Sequence, residues 1–186
     1  MNYARICIAA RLSLGDLREA DRQLIAHQEV DGRWMLLVKQ CLVALANLTD
    51  LERTITPIYK TNPEVSTAFK AHAKSFEFAK YVRNIVVGHT NESLLEKALE
   101  WKPELNWFLA DDRDMATLVT NLFVLETAMN TYVDEQERHL IFGGDTDLLY
   151  PPDWDRFVNW LQQVVHGGIA FLESAVAACF SLMPAG

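Results

Sequence analysis

The chain has 186 residues, half of them apolar and 23% charged, which is a globular composition with length enough for a real core and excludes a disordered chain. Its formal net charge of −8 argues against a general nucleic-acid coat protein. The charge is uneven: residues 1–100 hold 13 Lys/Arg and 12 Asp/Glu, whereas residues 101–186 hold 4 and 13. Cys7, Cys41 and Cys179 are odd in number and far apart, without a CxxC pair or a Cys/His cluster, so neither a disulfide framework nor a structural zinc is indicated. The first residues form too short an apolar stretch for a secretory segment, broken by Arg11. No unbroken run of about 20 apolar residues is found; residues 167–183 come nearest, and Glu173 interrupts them. No membrane partner and a cytoplasmic location are expected.

The pattern is helical nearly throughout. A first helix is predicted over residues 13–27, with Leu14, Leu17, Leu24 and Ile25 inward, and Asp31-Gly32 marks a turn. A second helix is predicted over 33–56, where Trp34, Leu37, Val38, Cys41, Leu42, Leu45, Leu48, Leu51 and Ile55 recur at steps of three and four. Asn62-Pro63 suits a helix start, and a third helix runs to the stop at Gly88. Ser93 to Glu96 has capping-box spacing and starts a short fourth helix. Pro103 makes the stretch from 101 to 109 a bent connector. The fifth helix is predicted over 114–138, with acidic residues at its start, where the helix dipole favours them. Residues 142–152, with Gly143-Gly144 and Pro151-Pro152, read as a loop. A last helix starts near Asp153, with a kink at Gly167-Gly168 and an almost wholly apolar second half that must be buried in the core or against a partner.

The chemistry concentrates in Tyr81-Val82-Arg83-Asn84-Ile85-Val86-Val87-Gly88-His89-Thr90. Arg and His together suffice for phosphodiester cleavage without a metal: histidine moves a proton and arginine holds phosphoryl charge. On a straight third helix His72, 11 positions before Arg83, falls within about 20° of the same face. His89, six positions on, falls about 240° away. Convergence therefore needs the helix to end at Gly88, or two chains to meet.

This segment resembles the HEPN superfamily, helical-bundle proteins that include RNases of toxin–antitoxin and phage-defence systems. The family signature is Arg, often a polar residue next, then His after four to six intervening residues, and Arg83, Asn84 and His89 fit it. Only this segment carries the resemblance. It implies a bundle, commonly dimeric, with the two motifs meeting at the interface, and metal-independent endoribonucleolysis without a cofactor. His89 would be the general acid/base, Arg83 would stabilise the phosphorane, Asn84 would position the site, and His72 would support Arg83 from behind. An RNA substrate and an antitoxin protein are the implied partners. A second Arg-to-His spacing, Arg22 to His27, lies in an ordinary amphipathic helix and reads as a charged face.

Other clusters are weaker. Glu135 and His139 are four apart, without HExxH, and read as a solvated helix end. Residues 143–147 lack the ligand spacing of an EF-hand loop. No Walker A, GxGxxG or GxSxG motif is present. Trp154 and Trp160 read as core or interface anchors, and His166 as helix-end structure. The expectation is a single all-α domain, residues 1–186, built as an up-and-down bundle of five to six helices and forming a homodimer. The competing class is a non-catalytic helical interaction module that uses the acidic half and the apolar last helix.

Overall fold

The computed structural model describes residues 2–27, 29–88, 91–110 and 113–183. It is all-α, with no strand among the described residues. The helices are α1 (Tyr3–Ala26), α2 (Gly32–Ile55), α3 (Pro63–Lys70), α4 (Ala73–Val86), α5 (Glu92–Trp101), α6 (Leu105–Phe108), α7 (Asp114–Asn130) and α8 (Pro151–Leu182), with a 3-10 turn, Thr56–Lys60, after α2. Among the described residues eight helices stand where five to six were expected, for local reasons. The third helix is two, broken at residues 71–72, where His72 leaves helical geometry at φ −123° and ψ 6°. The connector after Pro103 contains α6.

Helix ends follow side-chain capping. α1 begins ten residues earlier than expected because the Asn2 side chain accepts from the Arg5 amide. Asp31 caps α2 through the Trp34 amide, as its place before Gly32 suggests. At α5 the cap is Asn91, accepting from Leu94, and not Ser93, whose hydroxyl instead bonds Asn91. α7 stops at Asn130 and not near residue 138, because the chain turns back into an isolated antiparallel bridge between Val133 and His139.

The main core joins α1, α2, α3, α4 and the inner faces of α7 and α8. α8 is continuous through Gly167-Gly168, and both glycines are contact points: Gly167 meets His72 and Gly168 meets Leu17, Leu45 and Leu48. His166 is therefore mid-helix, 3.5 Å from Asp21, and not at a helix end. Trp154 packs on Trp34 with ring centroids 4.6 Å apart, and Trp160 joins Phe78, Phe142 and Phe157, as core anchors would. A second apolar cluster, Ala98, Leu105 and Phe123, sits under Phe108, Val119 and Val124. α7 lies between the two clusters, which is why residues 122–129 are buried on nearly all sides while most of its first turn stays exposed.

Gly32–Lys60 and Pro151–Leu182 are long and apolar enough to cross a membrane by length and composition, and 61% and 50% of their apolar windows are buried within this fold. All three cysteines are free and buried, and burial pushes the Cys41 thiol up to about 12 and Cys179 to about 11.

Candidate functional site

Arg83 lies in the last turn of α4, half-buried, and Asn84 beside it is exposed. Its Nη1 donates to the Asn84 Oδ1 at 2.9 Å. No ion pair joins Arg83 to a carboxylate among the described residues, so the guanidinium keeps most of its donors for a ligand or water. The Arg83 carbonyl accepts from both the Val87 and Gly88 amides at 2.9 Å, which closes the helix. A Cβ at residue 88 would lie 3.2 Å from the Asn84 carbonyl oxygen, so glycine lets the chain leave the helix close to it. His89, the histidine of the motif, lies outside the described residues.

His72 is not beside Arg83. It stands at the opposite end of α4, about 16 Å away by helical rise, with its ring 5.9 Å from Phe76 and its edge against Gly167. The one-helix reading placed the two on a common face; the break at residues 71–72 and the length of α4 give His72 a packing role between α4 and α8. Arg22, of the second Arg-to-His spacing, is held by Glu19, and His27 Nε2 bonds Asp31 Oδ1 at 2.8 Å. The first is a pairing on the α1 surface, and the second joins the end of α1 to the cap of α2.

Between the end of α4, the start of α5, α2 and α7 lies a pocket of about 430 Å³, lined by residues that include Lys39, Val87, Gly88, Asn91, Thr120 and Asn121. Lys39 is its one charged residue among the described lining. Its Nζ donates to Asn121 Oδ1 at 2.5 Å, and burial lowers its pKa. The residue has a sequence signal that motif reading passes over: it is the only charge between Arg33 and Asp50.

A larger cleft, about 690 Å³, opens between α5, α7 and the segment after α7. Glu126, 2% exposed, projects from α7 and accepts from Lys102 Nζ at 2.6 Å and from the Leu148 amide at 2.8 Å. Burial pushes its carboxyl above the usual range, with Lys102 opposing. Asn130 exchanges two hydrogen bonds with the Thr146 backbone, and Arg156 donates to the Asp145 carbonyl and the Thr146 hydroxyl. These polar groups pin residues 131–150 to α7 and α8. His139 belongs to the same staple. It is buried, not at a solvated helix end, and its Nδ1 accepts from the Ile141 and Phe142 amides at 3.0 Å. Burial pushes the imidazole below its ordinary value. Among the described residues no group of three or more His, Cys, Asp or Glu is placed to hold a metal ion.

In comparisons with known proteins, no family model matches the chain, and neither a curated protein nor a solved structure matches it.

Proposed function

We propose that this protein is a HEPN-like, metal-independent endoribonuclease, or an inactive relative, of a toxin–antitoxin or defence system. The observation that supports this reading is the state of Arg83: it sits beside Asn84 at the end of α4, four residues before Val87 of the helix-ending Val87-Gly88, without a carboxylate partner among the described residues. An arginine kept for helix stability would pair with an acidic neighbour; one kept for phosphate leaves its donors open. In this reading His89 transfers protons at the 2′-OH and the leaving oxygen, Arg83 holds the phosphorane charge, and Asn84 orients Arg83. The site is completed by a second copy in an up-and-down bundle dimer, the protein works in the cytoplasm, and an antitoxin protein restrains it.

The test is cleavage of single-stranded RNA by purified protein in the presence of chelator. Products ending in 2′,3′-cyclic phosphate are expected, with DNA untouched because it lacks the nucleophile. Arg83→Ala and His89→Ala should each lower the rate by roughly 10²-fold or more with the circular dichroism spectrum unchanged. Equal cleavage by wild type and His89→Ala would reject the assignment.

A second reading has its own observation. Trp107, Leu109 and Met115 are 77%, 70% and 63% exposed around α6 and the start of α7. Such apolar groups in one region suit a protein-interaction module. Substituting them with Ser should abolish partner capture under that reading and leave RNA cleavage unchanged under the first.

A further inference from the structure

Lys39 is an ammonium in an otherwise uncharged stretch of α2, taken partly out of water and, among the described residues, given a neutral amide oxygen as its partner. Desolvating a charge without an opposite charge is unfavourable, and a fold that needed only packing there would place a leucine. The Asn121 amide oxygen accepts from one of the three Nζ donors, and Lys39 lines the pocket. Asn91 and Thr120 add polar groups to the same walls, and Ile85, Leu94, Leu95 and Val124 add apolar ones. No carboxylate lines the pocket among the described residues, although the chain as a whole carries −8. A lone cation, uncharged hydrogen-bonding groups and an apolar wall match a phosphate attached to a flat, partly apolar body. The volume of about 430 Å³ is within the range of small-ligand sites. The pocket also borders the end of the helix that carries Arg83, since Val86, Val87 and Gly88 line it.

We propose that the pocket between α2, α4, α5 and α7 binds the phosphate of one nucleotide unit, with Lys39 as its cation, and so seats RNA beside the Arg83 motif. The seating on RNA rests on the nuclease reading above; the phosphate site rests on Lys39 alone.

The experiment measures fluorescence-anisotropy binding of a 2′-O-methyl oligoribonucleotide, which cannot be cleaved, to wild type, Lys39→Gln and Lys39→Arg, with adenosine monophosphate as a separate titrant. Glutamine lacks the charge but keeps a hydrogen-bond donor, and arginine retains the charge. Lys39→Gln is expected to weaken oligonucleotide binding about tenfold and to reduce the slope of log affinity against log salt by about 1, with Lys39→Arg near wild type. Oligonucleotide affinity and salt slope unchanged in Lys39→Gln overturn the proposal, whatever the cleavage assay gives. Binding of the monophosphate but not the oligonucleotide, lost in Lys39→Gln, keeps the phosphate site and removes RNA as its occupant. Binding of neither removes the site. Lys39-dependent oligonucleotide binding without any cleavage keeps the site and rejects the nuclease reading.

Discussion

The imidazole of His72 fills the space a side chain at residue 167 would need: a Cβ built on Gly167 would lie 2.5 Å from the His72 ring. The start of α4 and the middle of α8 thus meet ring against backbone.

Gly167→Ala should therefore destabilise the fold by about 1–3 kcal/mol, the usual cost of overpacking, in excess of alanine's gain in helix propensity. Urea denaturation of Gly167→Ala, His72→Ala and the double variant forms a cycle. The double variant should be less destabilised than the sum of the singles, because removing the ring frees the space. Simple additivity would mean that the contact has no energetic weight.

His139 predicts a pH dependence. Its Nδ1 must be unprotonated to accept from the Ile141 and Phe142 amides, and burial lowers its folded pKa below the unfolded value near 6.5. As pH falls below about 6.5, the unfolded chain binds a proton that the folded chain refuses, so this contribution to stability is lost on acidification, at up to about 1.4 kcal/mol per pH unit. In His139→Asn the amide oxygen replaces Nδ1 as acceptor and does not titrate. Denaturation midpoints from pH 7.5 to 5 should fall less steeply in that variant than in wild type.

Lys102 and Glu126 predict an asymmetry. Glu126 is almost wholly buried, whereas the Lys102 side chain retains 23% exposure. Lys102→Met strands a buried carboxylate and should cost about 3 kcal/mol at neutral pH. Glu126→Gln leaves a lysine that can turn to water and should cost less. Because burial holds the Glu126 carboxyl above its unfolded value, the Lys102→Met penalty is full above that raised pKa and recovers as pH falls through it. Chemical denaturation at pH 7.5 and pH 5 reads both effects; equal penalties for the two variants would contradict the burial argument.

The dimer is testable at α1 and α8. Most of the apolar second half of α8 is absorbed within one chain, where Phe171, Leu172, Ala175 and Cys179 are fully buried. Ile8, Leu12 and Phe180 stay exposed, with the Arg11 guanidinium 4.9 Å from the Phe180 ring centre. Light scattering at tens of micromolar should give twice the 21.2 kDa chain mass, and Leu12→Glu with Phe180→Glu should return it to one. A monomeric wild type would remove the two-chain route to an Arg83–His89 site.

Much was legible in the sequence because it is local. The apolar steps in α2, from Trp34 to Ile55, mark both the helix and its buried face, since periodicity and burial are the same signal there. Asp31-Gly32, read as a turn, and Gly88, read as a stop, fall at helix ends because caps and stops act within a few residues, whereas Pro151, read as loop, opens α8. Arg83 and Asn84 could be singled out as neighbours at a helix end for the same reason. Tertiary packing decided the rest. The break at residues 71–72 carries no glycine or proline to announce it; it goes with contacts to Phe76 and Gly167, the second 95 residues away in the chain. His139 reads as a solvated charge in a run of acidic residues and is buried because the chain after α7 folds back on itself. The lone charges Lys39 and Glu126 are visible as interruptions of apolar helices, but their partners Asn121 and Lys102 lie 82 and 24 residues away. A helix periodicity fixes which face is buried; only the meeting of helices distant in the chain fixes what each buried polar group finds there.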